Sequence, residues 1–209
     1  MQHSMSLFAC AILLMGCQTT GTSGVKTGAV SNAMPVVEQR PVAVGDTFVY
    51  RMADGTDLTS KVTAVTADRI TSERSDGCSW ESIRNAFAPN PSWKNCNGSS
   101  GSQTAQRQGG SMFPLNLNSV ETWDFSGNNN NGNSWESTRN CRVMGEVSIT
   151  VPAGTFDTYH VRCEDKWWTR DSYIRADGRA VRWSRTRKIG SADQNRSGDL
   201  VSYVPGAST

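Results

Sequence analysis

Residues 134–164, SWESTRNCRVMGEVSITVPAGTFDTYHVRCE, form two long alternating runs separated only by Pro152-Ala153-Gly154. A period of two marks a strand with one buried face, and a proline and a glycine between two runs mark a turn. Cys141, Val143, Gly145, Val147, Ile149 and Val151 share one face of the first run; Tyr159, Val161 and Cys163 share one face of the second. Folding at the turn sets position 141 opposite 163 or 164, and a bulge from Gly154 absorbs the one-residue ambiguity. Cys141 and Cys163 then lie on the apolar face at cross-strand distance, which suits a disulfide. So long a hairpin commits the chain to antiparallel sheet.

The rest of the chain extends the pattern. In TFVYRMADGTDLTSKVTAV, Asp54-Gly55 sits between alternating segments, a hairpin signal because a type I′ turn needs positive φ at both central residues. Val62, Ala64 and Ile70 carry the alternation into a third strand. Residues 120–126 (VETWDFS) form another strand, and NNNNGN at 128–133 turns the chain into the long run. A last hairpin, Trp167–Ile174 with Arg179–Lys188, turns on Asp177-Gly178. Residues 86–111 lack a pattern and are rich in Asn, Ser, Gly and Gln, which reads as loop. No amphipathic helix is recognisable after Cys17. The expectation is all-β: a single antiparallel β-sheet domain over 41–209, built as a meander, a curved sheet or a partial barrel.

The N-terminus reads differently. Leu7 to Met15 is an apolar run too short to cross a bilayer and of the length of a signal-peptide core. It ends in Leu14-Met15-Gly16-Cys17, which resembles the bacterial lipobox; Leu7-Phe8-Ala9-Cys10 matches more loosely, with almost no apolar run ahead of it. The segment MQHSMS carries no Lys or Arg, a departure from the positively charged start of such signals that leads us to expect a true start at Met5 or upstream of Met1. The resemblance implies a signal peptide over 1–16 and acylation at Cys17, with several chains anchoring the protein where one binds only marginally. Gln18, where an Asp would retain such a protein elsewhere, implies the periplasmic face of the outer membrane of a Gram-negative cell. Residues 17–40, rich in Thr, Gly, Ser, Val and Ala, read as the lipidated cysteine and a flexible linker. Cys78, Cys96, Cys141 and Cys163 remain, an even number for an oxidising compartment. Four cysteines allow three connectivities; with Cys141–Cys163 paired, Cys78–Cys96 closes the irregular region.

The segment CRVMGEVSITVPAGTFDTYHVRCED (141–165) resembles the hallmark of an uncharacterised proteobacterial group of envelope lipoproteins and exported proteins. Phe113-Pro114-Leu115, Trp123, the Trp167–Trp183 region and Leu200-Val201-Ser202-Tyr203 match its other pieces, over roughly the C-terminal half of the chain. IRADGRAVRW in the last hairpin departs from the tyrosine-rich strand of that group. The resemblance implies an exported β domain and brings no activity with it.

The net charge of +2 and pI of about 8.2 are too mild for a nucleic-acid binder. His160, the histidine that remains after export, has no nucleophile tied to it by spacing, so a strand residue is the simpler reading than a general base. Glu81 and Glu136 recur in the near-repeats SWESIRN (79–85) and SWESTRN (134–140) and would be the carboxylates of a hydrolase; beside Arg84 and Arg139 they read more simply as strand-surface charges. The near-repeat itself predicts neighbouring antiparallel strands with Trp80 and Trp135 turned inward. In the last hairpin a two-residue loop would set Ile174 opposite Val181, Ser172 opposite Trp183, Arg170 opposite Arg185 and Trp168 opposite Arg187. Trp168, Trp183, Arg170, Arg185 and Arg187 then form a cationic-aromatic strip for an envelope glycan, lipid or protein; the alternative is tryptophans capping the core under solvated arginines. No cofactor or metal set is recognisable. A non-catalytic, lipid-anchored binding or structural module is the leading expectation. A lipid or lipoprotein carrier with an apolar cavity is the alternative, and a carboxylate-dependent hydrolase the second.

Overall fold

The computed structural model describes residues 26–85, 87–190 and 192–207. The signal segment and Cys17 lie outside them. Thirteen strands account for most of the described chain: β1 (Lys26–Gly28), β2 (Thr47–Met52), β3 (Asp57–Val65), β4 (Arg69–Arg74), β5 (Ser79–Ile83), β6 (Ser92–Cys96) and β7 (Ser99–Ser111) come first. β8 (Val120–Asn129), β9 (Ser134–Val151), β10 (Gly154–Glu164), β11 (Trp168–Arg175), β12 (Ala180–Arg187) and β13 (Arg196–Val204) follow. The helical content of the described residues is one 3-10 turn, Ala192–Gln194.

All pairings are antiparallel, in the order β9-β10-β11-β12-β13-β2-β3-β4-β5-β6-β7-β8, and β8 returns to β9. β2 to β13 therefore close into a twelve-strand barrel with no free edge to template aggregation. Closure works because β9 is long. Its first half, Ser134 to Arg142, pairs with β8, and farther along the same edge Ser148 to Thr150 takes β1.

A ring of about eight strands is filled by its own side chains, so a twelve-strand ring needs other occupants. Val37, Phe87, Met112 and Leu115 supply them, packing against Cys141, Tyr159, Val161, Cys163 and Ile174 of the wall. Val37 and Leu115 pair as an isolated bridge, with both backbone N–H groups used, at 3.0 and 2.7 Å. Residues 26–40 are thus not free linker throughout: β1 is sheet and Val37 is core. Asp46 fastens this segment, accepting from Arg40 at 2.6 Å, the Tyr203 hydroxyl at 2.7 Å and the Gly206 N–H at 2.9 Å. A second cluster joins Ile149, Val151, Val181 and Leu200 with Phe48, Tyr50, Phe156 and Tyr173. Phe156 and Tyr173 are out of phase with Tyr159 and Ile174, so the β9–β11 corner is buried on both faces, with the β9–β10 tip docked on β13 (Ala153 N–H to Leu200 O, 2.9 Å).

The long hairpin sets Cys163 directly opposite Cys141, and the two form a disulfide; Cys78 and Cys96 form the other. The bulge falls at His160/Val161 rather than at Gly154. Residues 86–111, expected as loop, contain β6 and thirteen-residue β7. Their composition misleads because the inward face of β7 must be small: Trp93 lies flat on Gly101, where a Cβ would approach its ring to 2.5 Å. Gln103 on the same face accepts from the Trp135 indole at 3.1 Å.

The SWES segments are not neighbouring strands. β5 and β9 belong to one sheet but are separated by β6, β7 and β8. Both tryptophans nevertheless face inward, and Trp93 links them: it pairs with Trp80 across β5–β6 and packs on Trp135 at 5.7 Å. The offset in register explains the error, since a local resemblance fixes which face a residue takes and not which strand lies beside it.

Candidate functional site

The β10–β11 turn builds the site. Asp165 Oδ1 accepts the N–H groups of Trp167 and Trp168 at 3.0 and 2.9 Å, the local closure that favours Asp at a tight turn. This places Trp168 at the head of β11. The hairpin then pairs Trp168 with Arg187, Arg170 with Arg185 and Ser172 with Trp183, as the alternation predicts. Near the turn it does not: a bulge after Tyr173 sets Ile174 opposite Ala180 instead of Val181, because the connection runs over Ala176 to Arg179 rather than two residues.

Four of the five strip residues converge. The Arg185 and Arg187 guanidiniums lie over the Trp168 ring at 4.4 and 4.7 Å, and that of Arg170 at 6.0 Å. Trp183 stands one pair deeper, edge-on to Tyr50 at 6.5 Å and flat against Gly198. The arginines are not a solvated fringe. Asp165, fully buried, forms ion pairs with Arg170 and, at 3.6 Å, with Arg139. Arg139 reaches in from β9, over the Phe125 ring at 5.3 Å and within 3.3 Å of the Phe87 carbonyl.

Charge is out of balance here. Burial pulls the Arg139 guanidinium down to about 9, with Arg170 adding to it and Asp165 opposing. Burial likewise pulls Arg185 down to about 10, reinforced by Arg170, Arg196, Arg187 and Arg74. Burial pushes the Asp165 carboxyl up, but Arg170, the Trp167 N–H and Arg139 outweigh it and hold the group below its ordinary range. Arg74 already has Asp76, at 2.6 Å. Arg185 forms no ion pair among the described residues, and its Nε, like that of Arg139, is buried without an acceptor. An unsatisfied buried donor costs about 1–3 kcal/mol, and more on a charged group. Cations held together over an indole, with donors to spare, have the chemistry to hold an anion.

Arg139 and Asp165 were missed as site residues from sequence. The signal was available for Arg139: it is in phase with Cys141 and hence faces inward. The other candidates separate. Glu81 accepts from Ser92 at 3.1 Å on the outer face, and Glu136 is exposed. Four strand spacings of about 4.8 Å part their strands, roughly 19 Å of wall against the 5–10 Å a carboxylate pair requires. His160 also faces outward, stacked on Tyr173 at 4.7 Å and bonded to Asp171 at 2.6 Å, which Arg162 shares at 2.8 Å. That arrangement orders the outer surface of β10–β11. No cluster of three or more His, Cys, Asp or Glu able to hold a metal occurs among the described residues.

No protein-family model and no curated protein matches the sequence. Among solved structures, the chain is similar to the hypothetical lipoprotein YmcC of Escherichia coli K12, with a TM-score of 0.50 at 11% identity over 77% of this chain and 85% of that one. A candidate lipoprotein of Parabacteroides distasonis aligns with a TM-score of 0.40 at 11% identity, over 82% of this chain and all of that one. The first likeness concerns the fold: this is the kind of closed antiparallel β domain seen in YmcC.

Proposed function

We propose that the protein is a non-catalytic, lipid-anchored module on the periplasmic face of the outer membrane that binds an anionic glycan of the envelope in the Trp168 mouth of its barrel. The observation that carries this reading is Arg185: a half-buried guanidinium over Trp168, without an ion-pair partner among the described residues and with its Nε unsatisfied. Indole faces suit the flat, weakly polar faces of sugar rings, and guanidiniums suit carboxylate or phosphate. The indole face has a role for a sugar ring and none for a lipid phosphate, which favours a glycan over lipid headgroups. The lipobox-like Leu14-Met15-Gly16-Cys17 and Gln18 support the anchor and its location. Val37, Phe87, Met112 and Leu115 pack inside the wall, which gives the apolar cavity of a lipid carrier no support.

Two measurements test the reading. Labelled palmitate should enter the wild-type chain and not Cys17→Ser, which should move to the soluble fraction. A column of immobilised uronic-acid tetrasaccharide should retain the protein at low salt and release it at high salt, while a neutral tetrasaccharide column should not retain it. Equal behaviour on both columns would remove the basis for the glycan assignment.

A further inference from the structure

The geometry points to a second binding site, for a small oxyanion-bearing molecule, at the end of the barrel away from Trp168. Arg69 and Arg74 begin and end β4, about 17 Å apart at a strand's rise. Around Arg69 a cleft of about 530 Å³ opens between the β3–β4 turn, the end of β5 and the β7–β8 hairpin. That volume falls in the range of about 300–1,000 Å³ of small-molecule sites. Arg69, Arg84, Arg107, Asn85, Phe113 and Trp123 line it.

The wall leaves cationic and donor capacity unused. Glu121, buried under the cleft, is taken up by the wall: Asn85 Nδ2 donates to both its oxygens, at 2.8 and 2.9 Å, and Arg107 stands 3.6 Å away. Arg84 is pinned by the carbonyls of Ala67 at 2.8 Å and Thr66 at 3.0 Å. The Arg69 guanidinium is exposed and has no hydrogen-bond or ion-pair partner among the described residues. With Glu121 beneath the cleft and Asp68 on its rim, two carboxylates stand against the guanidiniums of Arg69, Arg84 and Arg107. Trp123 is 7% exposed, and its indole N–H is buried with no acceptor. Arg69 without a counter-ion among the described residues, Arg84 held beside it by carbonyls and an orphaned indole donor in the wall suit carboxylate or phosphate oxygens. Phe113 and Ile83 offer apolar contact to the remainder of such a molecule.

The test follows the indole protons of the ¹⁵N-labelled Cys17→Ser chain. Seven tryptophans give seven indole cross-peaks, and the one lost in Trp123→Phe belongs to Trp123. The probes are D-alanyl-D-alanine for carboxylate, glucosamine 6-phosphate for phosphate and N-acetylglucosamine as the neutral control. The Trp123 peak moves downfield with one or both charged probes and not with the control; which probe acts identifies the source. Calorimetry with Arg69→Gln shows an affinity lower by about tenfold. Because Arg69 is exposed and unpartnered, this arm stands even if Trp123→Phe fails to fold. The site is overturned if neither charged probe at about 10 mM moves the Trp123 peak, if only other indole peaks move, if the neutral sugar acts equally, or if Arg69→Gln binds as wild type does.

Discussion

Replacing Asp165 with Asn isolates the charge at the centre of the Trp168 mouth. The amide keeps an oxygen for the N–H groups of Trp167 and Trp168, so the turn retains its closure. What disappears is the negative charge between Arg139 and Arg170, which leaves Arg139, Arg170 and Arg185 mutually repelling in a half-buried place. Removing one partner of a buried ion pair costs about 3–5 kcal/mol. Part of this is offset because a neutral amide is cheaper to bury than a carboxylate, and Arg170 keeps 26% of its side chain exposed. The expected loss is about 3 kcal/mol, a fall in Tm of about 6–12 °C for a domain of this size. Urea unfolding with calorimetry measures it. Adding Arg170→Gln should recover part of the loss by relieving the repulsion. A change below about 0.5 kcal/mol for Asp165→Asn would refute the argument, because it would mean these guanidiniums are effectively solvated.

Arg185→Met should raise stability by about 1 kcal/mol while abolishing retention on the acidic glycan, since it deletes a half-buried charge with no ion-pair partner among the described residues; differential scanning calorimetry paired with the column assay reads both. Asp46, Asp165 and Asp171 all have carboxyls held below their ordinary 3.8. Their stabilising contribution is therefore present above that value and lost as pH falls through the depressed ones, so the urea midpoint should be level near neutrality and drop below about pH 4. A midpoint unchanged at about pH 3 would contradict this. The double replacement Cys141→Ala/Cys163→Ala should cost about 3 kcal/mol by equilibrium unfolding, as it releases a link directly across the long hairpin.

Much of the strand plan is legible in the sequence because strands with one buried face must alternate. The period of two locates the β9–β10 hairpin, the position of Cys163 opposite Cys141, and the pairing of Trp168, Arg170 and Ser172 with Arg187, Arg185 and Trp183. β7 is hidden for the complementary reason. Its inner face has Gly101 against the Trp93 ring and Gln103 bonded to the Trp135 indole, and small or polar residues in a strand look like a loop. Closure of the barrel is illegible too, since the meeting of β8 with β9 depends on register summed around the wall. With closure comes a large interior, and so Val37 and Leu115, which carry no pattern of their own, become core. The site shows the same division. Trp168 and its arginines belong to one hairpin and can be read locally, whereas Arg139 joins them from β9, the strand beside β10, and Trp123 and Arg69 come together only at the cleft.

The measurement that bears most directly on the anionic-glycan mouth is isothermal titration calorimetry of a uronic-acid tetrasaccharide into the Cys17→Ser chain and into its Arg185→Met variant, at low and high salt. The predicted result is a single binding event for the former that weakens as salt is added, and no heat of binding for the folded variant. Binding of equal strength by both proteins, insensitive to salt, would contradict the account.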